Sequence, residues 1–144
     1  MAAPYIYVAG PLFTPYERGY IEQIAAALEA KGYRTFVPHR DVGLSDGFNE
    51  LSEEERFRTI YHGDHGALEA CDFCVALLDG ADEDSGTSVE IGYMAGRGKL
   101  VYGLRHDIRG PVGIMAWGVC GEGKRMARSI DELVTLVTTY SPIR

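Results

Sequence analysis

A chain of 144 residues can bury one real core and has no room for a second full-sized unit, so a single domain over residues 1–144 is expected. A formal charge of −7, from 14 basic and 21 acidic residues, argues against nucleic acid or an anionic membrane as partner and favours a small uncharged or cationic ligand. No basic stretch leading into an apolar one opens the sequence, and no apolar run approaches the roughly 18 residues of a membrane span, so the expected location is the cytoplasm.

Pro4-Tyr5-Ile6-Tyr7-Val8-Ala9 is short, β-branched and aromatic, and reads as a first strand. It leaves the sheet through Gly10-Pro11-Leu12-Phe13, where Phe13 is an exposed aromatic. This loop lacks both G-x-G-x-x-G and the Walker pattern, so neither a dinucleotide nor a nucleoside triphosphate is indicated, and no cofactor is expected. Tyr7 reads equally well as strand packing or as a group near the strand's C-terminal end. From Tyr16 to Lys31, Tyr20, Ile21, Ile24, Ala25 and Leu28 follow helical spacing, and Gly32 is a natural stop. Tyr33–Val37 then forms a second strand halted by Pro38, and the strand, helix, strand order implies a parallel crossover. His39-Arg40-Asp41 lies at the same rim, and Val42–Leu51 has the composition of a mobile loop.

Ser52 caps the next helix ahead of three glutamates; Phe57, Ile60, Tyr61 and Leu68 continue it, and Gly63 and Gly66 are expected to weaken or bend it. Asp64 falls near that break, either as a surface charge or projecting into the rim. The cysteine count of 3 is odd and suggests reduced thiols; Cys71 and Cys74 have redox-motif spacing, but a strand entrance suits them as small apolar side chains. His39, His62, His65 and His106 are too scattered to complete a metal set, and no metal site is expected.

The most informative stretch is Asp84-Ser85-Gly86-Thr87-Ser88-Val89-Glu90-Ile91-Gly92-Tyr93-Met94-Ala95, after the apolar run Phe73–Leu78. Val89, Tyr93 and Met94 at helical spacing predict an amphipathic helix with Glu90 in its first turn, where backbone amides favour the ionised carboxylate unless burial opposes them. Two readings compete. Thr87 and Glu90 spell a capping box, which is purely structural. Against it, Gly86 permits unusual backbone angles, Asp84 supplies a second carboxylate, and the segment follows a strand's C-terminal end, where parallel sheets bind ligands. Beyond it, Leu100–Leu104 is a fourth strand and Arg105–Gly110 a polar loop. Pro111–Gly123, with Met115, Trp117 and Cys120, suits a short helix or irregular segment. A brief fifth strand near Arg125–Ala127 leads into a helix opened by a second capping box, Ser129 to Glu132, with Leu133, Leu136, Val137 and Tyr140 as its buried stripe.

With these residues together, the chain resembles the nucleoside 2-deoxyribosyltransferases over most of its length. Ile6–Phe13 is similar to the family's opening strand and loop, Asp64 and Asp72 have the spacing of its paired aspartates, and Asp84–Tyr93 with Gly98-Lys99 is similar to the segment carrying its nucleophilic glutamate. The resemblance implies a three-layer α/β domain, with a flavodoxin-like five-stranded parallel sheet and helices on both faces. It also implies a retaining double displacement: Glu90 attacks C1′ of a 2′-deoxynucleoside, the base leaves, and a second free nucleobase attacks the covalent intermediate. By the same resemblance Tyr7 orients Glu90, Asp64 contacts or protonates the base, Asp84 holds a sugar hydroxyl, and Gly10, Phe13, His39, Gly86 and Met115 contact substrate. Ile114–Val119 echoes a segment that reaches a neighbouring subunit's site, which implies a homodimer or a multiple of dimers with shared active sites.

Two departures stand out: Gly113 replaces an asparagine common in the family, and His39-Arg40-Asp41 stands where smaller amide or acidic base-reading residues are expected. The alternatives are a nucleoside 5′-monophosphate N-glycosidase, which uses water as acceptor, and a non-catalytic nucleotide-binding domain in which Glu90 is only a cap.

Overall fold

Strand and helix alternate as the sequence implies, and in the computed structural model, which describes residues 2–42 and 47–144, they build one parallel sheet. Its strands are β1 (Tyr5–Ala9), β2 (Arg34–Phe36), β3 (Phe73–Leu77), β4 (Val101–Leu104) and β5 (Met126–Ala127), in the flavodoxin-like order β2-β1-β3-β4-β5. The sheet is sandwiched because alternate strand residues face opposite sides. Ile6 and Val8 pack with α1 (Pro15–Glu29) and α6 (Ile130–Tyr140) in one core. Tyr7, Ala9, Cys74 and Ala76 pack on the other face with α3 (Glu53–Ala70), α4 (Ser85–Gly96) and α5 (Ile114–Val119).

The helix starts follow local chemistry. Thr14 and Glu17 form a reciprocal capping box on α1, and Ser52 and Glu55 form one on α3. On α6 the Ser129 hydroxyl accepts the Glu132 amide as predicted, but Glu132 reaches the Arg128 amide instead of closing the box. Pro38 does stop the second strand, and it starts a short helix, α2 (Pro38–Asp41).

Several expectations are corrected. α3 runs unbroken through Gly63 and Gly66; a Cβ at Gly63 would meet Val42 at 2.8 Å, so that glycine serves packing rather than a bend. Met94 is buried as expected, but Val89 is 73 % exposed and α4 buries Thr87 and Ile91 in its place. Tyr140 is exposed while Val134 takes its place in the α6 stripe. Of the segment read as a loop, Val42–Leu51, residues 43–46 lie outside the described residues, and Phe48–Glu50 is a 3-10 turn. All three cysteines are free and buried, and burial lifts each thiol well above its usual range, which suits the apolar reading.

Candidate active site

Sheet register sets the site. Tyr7 is the central residue of β1 and lies opposite Phe36 on one neighbouring strand and Cys74 on the other. Its ring stacks on Phe36, with centroids 5.3 Å apart, and is fully buried. Above this floor, α4 brings Glu90 and α3 brings Asp64. Tyr7 Oη, Glu90 Oε2 and Asp64 Oδ1 are all shut off from solvent without a hydrogen-bond partner among the described residues.

The electrostatics of the three groups are coupled. Burial raises Glu90 to about 7; the neighbouring Tyr7 hydroxyl opposes that rise, while the charges of Asp64 and Asp84 add to it. Burial alone lifts Asp64 to about 6. Tyr7 is driven far above the ordinary phenol range by burial and by the two carboxylates, so it stays protonated and has a hydrogen to donate. Tyr7 and Glu90 stop short of good hydrogen-bond geometry even though they influence each other's acidity. Burial thus opposes the amide-favoured ionisation of Glu90, the condition under which the sequence expectation does not hold, and of the two readings of Asp64 its buried Oδ1 favours projection into the rim over a surface charge.

The capping box is also corrected. Asp84, not Thr87, caps α4: its Oδ2 accepts the Thr87 amide at 2.9 Å and the Thr87 hydroxyl at 3.0 Å. Thr87 lies one turn inside the helix, fully buried, and Glu90 sits in the second turn, free of any backbone amide. Gly86 is helical with negative φ, so unusual backbone angles are not its role; a Cβ there would come 3.3 Å from Asp84 Oδ2.

A buried carboxyl beside a second carboxyl and a phenol, over the face of a parallel sheet, is the kind of arrangement that glycosyl transfer can use. The family model for nucleoside 2-deoxyribosyltransferase matches residues 6–128. The chain belongs to that family. Solved structures agree on the fold. A conserved protein from Enterococcus faecalis superposes with TM-score 0.81 at 22% identity, covering 96% of this chain and 99% of that one. The 2-deoxyribosyltransferase of Bacillus psychrosaccharolyticus gives 0.80 at 18% identity, covering 97% of each chain. A CMP N-glycosidase from Clostridium botulinum gives 0.57 at 18%, covering 91% of this chain and 96% of the other. No curated protein sequence matches the chain.

The remaining residues implied by the nucleoside 2-deoxyribosyltransferase resemblance are more dispersed. Gly10 follows β1 directly, and a Cβ there would lie 2.5 Å from Ile21 Cδ1 and 3.1 Å from Leu77 Cβ, so close packing explains the glycine. Phe13 projects from the following loop at 78 % exposure. His39 on α2 meets Glu22 at 2.8 Å, which ties it to α1. Met115 is exposed on α5, where it lines a groove of about 520 Å³ with Ser88, Ile91 and Gly92 of α4. Gly113 donates its amide to Glu83, an anchor between α5 and the start of α4 that composition gave no means of finding. Phe36, the ring under Tyr7, was visible in the sequence only as an apolar strand residue; its pairing depends on register. Among the described residues there is no cluster of His, Cys, Asp and Glu suited to a metal ion, and no helix long and apolar enough to cross a membrane.

Proposed function

We propose that the chain exchanges the base of 2′-deoxynucleosides through a covalent deoxyribosyl intermediate on Glu90, with retention at C1′. The observation that carries this reading is the burial of Glu90 against Tyr7 and Asp64, in the second turn of a helix whose cap is another residue. The ionised Glu90 carboxylate attacks C1′ as the N-glycosidic electron pair leaves with the base, and Asp64 delivers its proton to the departing base nitrogen. An oxocarbenium-like centre is stabilised by the adjacent carboxylate, which then traps it as an ester. The acceptor base attacks C1′ from the face the first base left, the ester bond breaks, and its proton returns to Asp64. Tyr7 donates toward Glu90 and sets its basicity; Asp84 holds a sugar hydroxyl with the oxygen not occupied by Thr87. No cofactor or metal enters this cycle, the partners are a nucleoside and a free base, and a single cytoplasmic domain suffices.

A 5′-monophosphate hydrolase is the second reading, on the strength of the shared fold with a CMP N-glycosidase. Asp84 disfavours it, because a phosphate brought near its carboxylate meets like charge. The arginines able to offset that repulsion are engaged elsewhere. Arg40 is paired with Glu29, Glu22 and Asp41, and Arg109 chelates Asp107. Arg105 is held on main-chain carbonyls at a separate pocket that Asp84 does not line.

The test is incubation of wild type and Glu90→Gln with a 2′-deoxynucleoside, with and without an acceptor base, followed by chromatography of bases, nucleosides and free sugar. Wild type is expected to give the exchanged nucleoside and Glu90→Gln almost none. Free sugar without exchange, above all from a 5′-monophosphate, would favour the hydrolase. Unchanged turnover in the variant would end the mechanism.

A further inference from the structure

The edge of the sheet beyond β4 carries a feature that glycosyl transfer does not use. Arg105, the first residue after β4, is only 4 % exposed, yet it has no carboxylate partner among the described residues. Its Nη1 donates to Leu78 O at 2.5 Å and its Nη2 to Gly110 O at 3.0 Å, while Nε is buried with no acceptor. Buried charges are as a rule paired, because water solvates a lone ion far better than a protein interior does. Two carbonyl dipoles offset that loss only in part.

Arg105 lines a pocket of about 180 Å³ together with Arg128, Trp117, Gly110 and Met126. No acidic residue lines it, in a chain whose acids outnumber its bases by 21 to 14. The carboxylate of Glu132 is occupied with the Arg128 backbone amide and does not reach the pocket wall. Arg128 itself is exposed and makes no ion pair among the described residues. The volume is below the roughly 300 Å³ at which sites for drug-sized molecules begin, so the occupant is an ion or one small group.

We infer that this pocket binds a tetrahedral oxyanion, phosphate as the free ion or as the phosphoryl group of a metabolite. The guanidinium of Arg105 supplies a fixed charge preorganised by its two carbonyl contacts, Arg128 closes on the anion from the mouth, and planar guanidinium forks match oxyanion geometry. The anion would brace the loop between β4 and α5. It lies at the β4–β5 edge, apart from Tyr7, Asp64 and Glu90, so it stands or falls independently of the proposed transfer reaction.

Trp117 is the only tryptophan in the chain and lines the pocket, so its emission reports occupancy directly. Inorganic phosphate is titrated at constant ionic strength while emission and melting temperature are followed. The expected result is a saturable emission change, a Kd of about 1 mM or tighter, and a melting temperature that rises with phosphate. Arg128→Gln, at an exposed position, is expected to weaken binding by about tenfold or more. Arg105→Lys, which keeps the charge and loses the fork, is expected to do the same. A nucleoside 5′-monophosphate that competes more tightly than phosphate identifies a phosphoryl-bearing metabolite as the ligand, and failure to compete identifies the free ion. Absence of any saturable response in wild type, or an unchanged Kd in both variants, overturns the site.

Discussion

In the proposed transfer, Glu90 has to be charged to attack and Asp64 protonated to deliver a proton, yet burial lifts Glu90 to about 7 and Asp64 only to about 6. The reactive pair, charged Glu90 with neutral Asp64, is therefore the less populated way of holding one proton between them, and the two titrate as a coupled unit. For kcat/KM the expected profile is a bell whose acidic limb lies near 6 and whose basic limb lies near 7, with its maximum between. Tyr7→Phe removes the group that opposes the rise of Glu90. Its acidity then falls further, and the maximum of the bell is expected to move to higher pH and drop; a profile that keeps its position would show that Tyr7 does not act on Glu90. Stability has a worked sign as well. Glu90 goes from 4.5 to about 7 on folding, so its contribution is full below pH 4.5 and is lost as pH rises through 7. Glu90→Gln lacks that loss and is expected to melt higher than wild type above pH 7, by an amount on the order of a few kcal/mol. A lower melting temperature at every pH would point back to a cap. At this scale the sequence showed which residue types were present but not their environment. Glu90 in a capping pattern and Asp64 on a polar helix face look solvated until the helices carrying them are packed over Tyr7.

The elements were legible because each is written locally, in alternating strands between Gly and Pro and in hydroxyl caps ahead of acidic first turns. The Ser52 and Ser129 caps are readable for that reason, whereas Thr87 and Glu90 spell the same pattern without forming the box, because the spacing recurs inside a helix. Asp84 precedes Thr87 by the cap-to-third-residue spacing, and that spacing marks the true cap. α4 starts where it does because Asp84 takes the Thr87 amide and hydroxyl together. Asp84→Ala strips the cap and leaves the Thr87 hydroxyl, in a residue with no exposed surface, without its acceptor. The expected cost is about 1–2 kcal/mol of unfolding free energy in urea. Asp84→Asn keeps an acceptor oxygen and is expected to recover most of it. If both variants lose sugar affinity while only the alanine loses stability, cap and substrate contact are separate duties of one carboxylate. Equal stability of wild type and alanine variant would mean that the cap contributes nothing. The unbroken α3 has the opposite lesson: glycine's low helix propensity lost to the space that Val42 needs beside Gly63.

At the scale of the whole molecule, the surface between α4 and α5 gathers exposed apolar side chains around a groove. Ile114 and Met115 are 83 % and 80 % exposed on consecutive positions of a six-residue helix, and the adjoining groove is walled by Ile91, Ala116 and Val119. Large apolar side chains clustered around a groove mark an interaction surface, and where such a patch pairs with its own copy it closes as a two-fold dimer. The groove also runs along the α4 face that carries Ser88 and Ile91, which flank Glu90 in sequence, so a second copy seated there would stand near the proposed nucleophile. Light scattering of wild type at micromolar concentration is expected to give a dimer or a multiple of it. Met115→Glu places a charge in the patch at a position that is solvent-exposed in one copy, so the fold and its circular dichroism are expected to persist while the assembly falls to monomers. Base exchange is expected to fall with it and to recover as protein concentration is raised, because a shared site depends on association. A wild type that is monomeric at these concentrations, or a monomeric Met115→Glu with full exchange activity at every concentration, would show that each chain completes its own site.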